Sequence, residues 1–319
     1  MEKRPLGLTG LDIAPIVFGG NVLGWTIDEK TGFDVLDAFV DHGFNAIDTA
    51  DVYSTWAPGN KGGESETIIG RWLRARPGMR ERVHIFTKVG WDLGVPGKKG
   101  LSRKWILQAA EDSLSRLGIE RIDLYFSHRP DPETPCEETL AAFDRLRKEG
   151  KIRAIGASNF DAAQMEHALD VARRNDLLAY QVVQPEYNLY DRASYDGALR
   201  DLCLREGLGV VTYYSLASGF LSGKYRTESD LSQSQRGKGI GKYLNPRGMA
   251  ILAALDRVAR AHDATDAEVA LAWLIARQGV TAPIASATRR AHVESFARAA
   301  ALSLSDEEIR MLEMAGQPE

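Results

Sequence analysis

Cysteine is almost absent: Cys136 and Cys203 are the only two in 319 residues, far apart and outside any CxxC or metal-ligand spacing. A disulfide framework is excluded, and the pair reads as reduced packing thiols of a cytoplasmic protein. No eighteen apolar residues run together, and residues 1–7 contain no apolar signal segment, so neither membrane spanning nor secretion is expected. Charge of one sign is also missing. With 40 basic and 44 acidic residues the formal charge is −4, too little to draw nucleic acid or an anionic membrane. Six scattered histidines form no HxH or HExxH, which removes a metal-dependent hydrolase. No GxGxxG follows an early strand, and Gly237 to Gly241 has the wrong spacing, so an open doubly wound nucleotide fold lacks its fingerprint. A small-molecule partner is the expectation that remains.

What is present is alternation. With 44% hydrophobic residues the chain can bury a large core, and residues 1–319 are expected to form a single domain. Eight short β-rich runs stand at 14–20, 45–50, 83–89, 122–128, 152–159, 180–184, 210–214 and 282–287. Amphipathic stretches separate them. The stripes Phe33, Leu36, Val40; Ile106, Ala110, Leu114; and Leu140, Phe143, Leu146 follow the 3.6 period of a helix lying on a sheet, as does 267–277. Eight strand-helix units predict an α/β fold, a (β/α)8 TIM barrel. The stretch 4–15 reads as an N-terminal β-hairpin closing its bottom, and 54–63 and 215–245 as long loops at its C-terminal face.

In a closed parallel barrel the site lies at the carboxyl ends of the strands. Three consecutive runs finish on ionisable groups: Asp48, Lys88 and His128. Neighbouring strands are roughly 4.8 Å apart, so in similar register the three stand side by side, with Tyr53 just beyond Asp48. Reduction of a carbonyl needs a proton at oxygen, and a phenol supplies it if its pKa of about 10 is brought toward neutrality. A Lys88 ammonium is expected to do this, Asp48 to keep the lysine charged, and His128 to donate to the carbonyl oxygen. Taken singly, each of these groups is more commonly structural; the combination carries the reading.

The stretches 45–53, 85–88, 122–128, 150–160, 184–188, 213–224 and 284–288 resemble the aldo-keto reductase family over nearly the whole chain, in particular the branch that includes potassium-channel β subunits. The resemblance implies Tyr53 as general acid, Lys88 and Asp48 as its tuners, and His128 as carbonyl orienter. It also implies NADP(H) extended over the barrel mouth. Ser158, Asn159 and Gln184 match the carboxamide-binding positions and Tyr213 the ring stacked on nicotinamide; amides suit an amide, and a flat face suits a flat ring. Ser158 and Asn159 also read as caps of the helix beginning near Asp161. Ser215, Leu216, Ser218, Gly219 and Lys224 match the pyrophosphate loop, where Gly219 and Gly223 allow close backbone approach. A P-loop is discarded, since GxxxGK is one residue short and Tyr225 follows it. Thr288, Arg289 and His292 match adenosine-side positions, and the fixed charge of Arg289 suits the 2′-phosphate of NADP. Arg290 reads equally well as a solvated helix-start arginine. The loop departs from the family's Tyr-Ser-Pro-Leu pattern at Tyr214 to Leu216, and Ser286 and His292 stand where the family often has glycine and glutamine.

Trp25, Trp56, Trp91 and Arg129 follow strands one to four and read either as a substrate rim or as packing for the long loops. The expected activity is NADPH-dependent reduction of aldehydes or ketones to alcohols, reversibly. The alternative is a nicotinamide-binding regulatory subunit that acts through a protein partner with little turnover. Neither the physiological substrate nor the oligomeric state is legible in these residues.

Overall fold

The structure is a computed structural model, and it describes residues 1–233 and 237–317. Strands β1 (Arg4–Pro5) and β2 (Asp12–Ile13) form an antiparallel hairpin. Eight parallel strands then close a barrel: β3 (Val17–Gly19), β4 (Ala46–Asp48), β5 (His84–Val89), β6 (Ile122–Ser127), β7 (Ile152–Ser158), β8 (Val182–Gln184), β9 (Gly209–Thr212) and β10 (Ala282–Ala285). The strands are shorter than the β-rich runs, trimmed at the start in β3, β5 and β8 and at the rim end in others such as β10.

Helices cover the outside: α1 (Glu29–Asp41), α2 (Glu64–Ala75), α3 (Arg103–Leu117), α4 (Cys136–Lys148), α5 (Ala162–Asn175), α6 (Ala198–Glu206), α7 (Pro246–Ala261), α8 (Asp266–Ala276), α9 (Arg290–Ala301) and α10 (Asp306–Ala315). Their starts are written locally. Asp161 with Gln164, Thr265 with Glu268 and Ser305 with Glu308 form capping boxes at α5, α8 and α10; such a cap stabilises by about 1 kcal/mol. Ser102 caps α3, and Gly118 ends it with φ 65, a left-handed residue that glycine adopts without strain. The long segment after β9 folds as successive 3-10 turns, 217–222, 228–233, 237–239 and 241–243; residues 234–236 of that predicted loop lie outside the described residues.

The barrel strands are buried on both faces apart from Arg153 and His84 near their starts, and are therefore mostly apolar on both. Odd and even positions still part company. Val17, Ala46, Phe86, Leu124, Phe126, Ala154, Val182, Val211 and Ala282 fill the interior, and Leu6, Leu11 and Ile13 of the hairpin join them, closing the bottom as expected. Tyr125, Ile155 and Val183 point outward into the layer beneath the helices. A Cβ at Gly156 would sit 2.3 Å from Phe126 Cε1, so the ring fills the space that this strand residue leaves empty. Gly156→Ala is expected to lower stability by about 1–3 kcal/mol through overpacking, read as a fall in Tm, and an unchanged Tm would show that Phe126 repacks freely.

The register is not level. Asp48 pairs with Phe86, and Lys88 with Phe126, so β5 is stepped two residues against β4 and β6 two against β5, whereas Gly19 stands level with Asp48 and Ser158 with Gln184. That stagger is the shear needed to close a tilted barrel. The expected side-by-side alignment of Asp48, Lys88 and His128 is therefore replaced by a rising diagonal. Because the step is two residues, all three keep the inward face.

Candidate active site

Period-two alternation decides which groups converge at the rim. Continuing the inward positions one step beyond the apolar layers gives Asp48, Lys88, His128, Ser158, Gln184, Tyr213 and Ser286, together with Gly19. The Lys88 side chain is 0% exposed and its ammonium donates to Asp48 Oδ2 at 2.6 Å, to the Thr49 carbonyl at 2.8 Å and to Tyr53 OH at 2.8 Å. Tyr53 OH in turn donates to Asp48 Oδ2 at a longer 3.2 Å. The other carboxylate oxygen of Asp48 accepts from Gln184 Nε2 at 2.9 Å. The Tyr53 and His128 rings lie 6.0 Å apart, centroid to centroid. The four expected proton-handling residues thus share one cluster. Thr49 and the Gln184–Asp48 bond are additions that strand-end inspection missed, since one acts through its carbonyl and the other across the barrel.

The electrostatics differ from expectation in one respect. Burial first, and then the Asp48 carboxylate, hold the Tyr53 phenol well above its ordinary value of 10.0. Lys88 favours tyrosinate from 2.8 Å, but in the resting site desolvation outweighs it. The phenol accordingly keeps its proton at neutral pH. Burial also pulls Lys88 below 10.5 against the attraction of Asp48. His128 is driven well below 6.5 by burial and then by Lys88 and Arg129, so its ring is neutral and one nitrogen can donate. Its Nδ1 is buried without a hydrogen-bond partner.

The next strands form a second, connected group. Ser158 Oγ donates to the Gln184 carbonyl at 2.9 Å; Asn159 Nδ2 donates to the His128 carbonyl at 2.8 Å and to Ser158 Oγ at 3.2 Å. Tyr213 OH donates to Asn159 Oδ1 at 2.6 Å. Asn159 adopts φ 63, an αL conformation that asparagine tolerates. Neither Ser158 nor Asn159 caps α5, because Asp161 does so with Gln164; the capping alternative is thereby corrected. Ser215 is buried on the Thr212 carbonyl, and the turn after Leu216 kinks at Ser218 (φ 59) and Gly219 (φ 104). Gly223 has a different reason for being small: a Cβ there would meet Asp266 Oδ2 at 2.1 Å.

On the far side, the Thr288 amide donates to His292 Nδ1 at 3.2 Å, and Arg289 Nε stands 3.1 Å from His292 Nε2. Burial, then the charges of Arg289 and Lys224, depress the His292 pKa. Arg290 pairs with Asp34 at 2.6 Å, whereas Arg289 has no carboxylate partner among the described residues. Ser286 Oγ donates to Asn21 Oδ1 at 2.7 Å. Asn21 went unread, although its place just after Gly19 and Gly20 at the end of the first strand was a usable signal.

Above Tyr53 the aromatic loops meet. Trp25 and Trp56 pack edge to face at 5.5 Å, Trp56 lies 6.0 Å from Tyr53, and Trp91 lies 5.0 Å from His128. The Arg129 guanidinium sits 4.8 Å over Trp91. The loop carrying Trp56 is clipped to the one carrying Trp25: Ser54 Oγ donates to the Leu23 carbonyl at 2.7 Å, and Asn60 Nδ2 to the Gly24 carbonyl at 2.8 Å. An open recess of about 470 Å³ lies beside them, lined by Trp91, Arg129, Pro130, Asn159, Asp161 and Gln164.

A parallel barrel thus carries an acid-lysine-phenol cluster and a neutral histidine together at its carboxyl rim, and the family match makes it an oxidoreductase fold. The chain belongs to the aldo/keto reductase family, whose sequence profile matches residues 15–316. It is 33% identical over 305 residues to the "Probable voltage-gated potassium channel subunit beta" of Arabidopsis thaliana, covering 94% of this chain and 91% of that protein. It is also 33% identical over 321 residues to the "Uncharacterized oxidoreductase YrpG" of Bacillus subtilis, covering 98% and 95%. A short protein of Pseudescherichia vulneris, "Uncharacterized 11.2 kDa protein in crtE 3'region", is 67% identical over 93 residues, 29% of this chain and 90% of its own length. Enzymes of this family use NAD(P)H. No helix among the described residues is long and apolar enough to cross a membrane.

The neutrality of His128 has two measurable consequences. Its imidazole NMR signals should show no charge change between about pH 6 and 8, whereas a midpoint near the ordinary value would mean the ring is hydrated. A histidine whose folded pKa is depressed binds fewer protons folded than unfolded. Its contribution to stability is therefore present above about 6.5 and is lost as pH falls below that value.

Proposed function

We propose that the protein reduces aldehydes and ketones to alcohols with NADPH, reversibly, and that Tyr53 is the general acid. The observation that carries this is the Lys88 ammonium bonded at once to Asp48 Oδ2 and Tyr53 OH. The phenol is protonated at rest and so able to give a proton, while the adjacent cation stabilises the tyrosinate left behind.

The residues present fit a nicotinamide cofactor. Asn159 and Ser158 offer donor and acceptor groups beside Tyr213, whose ring is fixed by its hydroxyl bond to Asn159, Arg289 offers charge for a 2′-phosphate, and Lys224 offers charge for the diphosphate. Gln184 serves the same group with its carbonyl, since its amide nitrogen is committed to Asp48. Ser215, Leu216, Ser218 and Gly219 would hold the diphosphate, and Thr288 and His292 the adenosine side. When bound, the cofactor supplies a hydride to the carbonyl carbon. His128 Nε2–H and Tyr53 OH orient the carbonyl oxygen, and the Tyr53 proton passes to it. Trp25, Trp56, Trp91 and Arg129 form the substrate rim.

The names of relatives such as the Arabidopsis thaliana protein support a second reading, a nicotinamide-binding subunit acting on a partner. Turnover separates the two. Tyr53→Phe should lower kcat by roughly 10²–10⁴ while NADPH binding persists; a fully active variant would remove Tyr53 as the acid. Wild-type protein that oxidises no NADPH across a panel of aldehydes, keto-sugars and dicarbonyls would favour the subunit. Arg289→Ala should weaken NADPH binding at least tenfold, about the 1.4 kcal/mol of one lost charge-assisted contact, with NADH nearly unaffected. Equal losses for both cofactors would exclude a 2′-phosphate role.

A further inference from the structure

One buried acid beside the cluster is unused by the chemistry above. Asp51 is 2% exposed, and neither carboxyl oxygen has a hydrogen-bond partner. An apolar side chain would fill this slot without the cost of burying an unsatisfied polar group. The residue sits in the turn joining Asp48 to Tyr53. That turn is stitched along β5 by its backbone: the Thr49 amide donates to the Phe86 carbonyl at 2.8 Å and the Asp51 amide to the Lys88 carbonyl at 3.3 Å, while the Tyr53 amide closes on Ala50.

The ionisable groups that the Asp51 carboxyl feels come from α2, α3 and β5. From α2 comes Glu66, 0% exposed, accepting from Thr87 Oγ1 of β5 at 2.5 Å and from Arg116 Nε of α3 at 2.7 Å. From β6 comes the Tyr125 hydroxyl, buried and also without a partner. Asp112 of α3 is a more distant contributor, felt by Arg116 and Tyr125. Lys88 completes the set from β5, and it feels Asp48 first, then Asp51 and Glu66.

Two carboxylates cannot both be charged here at low cost, since one arginine is available and Glu66 holds it. Burial and then Glu66 drive the Asp51 pKa well above 3.8, against the pull of Arg116, the Val52 amide and Lys88. Were Asp51 an anion, it would compete with Tyr53 for the charge of Lys88, and the ammonium would be less available to a developing tyrosinate. We infer that Asp51 is a positioning residue, an uncharged acid packed between the 49–53 turn and the Glu66–Arg116 pair that leaves Lys88 to Asp48 and Tyr53. The inference rests on the proposed reductase reading for its kinetic consequences, but not for the charge state of Asp51.

The test pairs Asp51→Asn, which keeps the shape and neutrality of a protonated carboxyl, with Asp51→Ala. Kinetics are measured with saturating NADPH and p-nitrobenzaldehyde, the kcat–pH profile is recorded, and NADPH affinity is followed by fluorescence. Asparagine should rescue: kcat stays within about threefold and the alkaline limb does not move. Alanine should lower kcat about ten- to a hundredfold by loosening Tyr53, with NADPH affinity unchanged. Infrared difference spectra of wild type against Asp51→Asn at neutral pH should show the carbonyl stretch of one neutral carboxylic acid. A shifted alkaline limb in the asparagine variant, loss of activity equal to that of alanine, full activity of the alanine variant, or absence of the infrared band would each overturn the proposal. If wild type turns over no carbonyl at all, the reductase reading fails, and the infrared band alone still decides whether Asp51 is neutral.

Discussion

A lysine ammonium inside a barrel is the constraint around which the rim is organised. Lys88 is fully buried, and an unpaired charge there would cost several kcal/mol. Three oxygens from one short segment answer it: Asp48 Oδ2, the Thr49 carbonyl and Tyr53 OH. Asp48 is then completed by Gln184, whose carbonyl receives Ser158, which receives Asn159, which holds the His128 carbonyl and the Tyr213 hydroxyl. One hydrogen-bonded chain thus joins strands β4, β5, β7 and β8 with the residues just beyond β6 and β9. The Asp48–Lys88–Tyr53 cluster and the Ser158–Asn159–Tyr213 group are mechanically one unit, so a change at Gln184 reaches both.

The same burial that makes Lys88 expensive sets the resting protonation states. The phenol is kept neutral, the imidazole is kept neutral, and a second acid beside the lysine is pushed toward neutrality. Charge is concentrated in a single Asp48–Lys88 pair, where a developing tyrosinate can share it. Ser54 and Asn60 clip the loop of Trp56 to that of Trp25, and Trp56 lies 6.0 Å from Tyr53.

The barrel was legible because its signals are periodic and local. Eight apolar runs separated by amphipathic stripes need no tertiary information to be counted, and residues 4–15 carried enough pattern to place the hairpin. The proton cluster was legible for a related reason: strand ends are where a parallel barrel exposes chemistry, and Asp48, Lys88 and His128 are polar interruptions at those ends. Less legible were interactions between residues far apart in sequence. The stepped pairing of Asp48 with Phe86 and Lys88 with Phe126, the Gln184–Asp48 bond and the Ser286–Asn21 contact all depend on barrel closure. The raised Tyr53 pKa was missed because proximity to Lys88 is readable from spacing, whereas desolvation is a property of the finished interior.

The sequence by itself therefore determined the alternation of strands and helices, their order and the polar residues at the strand ends, because propensity and periodicity act over a few neighbours. Only the tertiary structure decided the register, which oxygen each donor takes, and which groups are charged at rest. Those follow from shear and burial, quantities that exist only once eight strands have closed around Lys88.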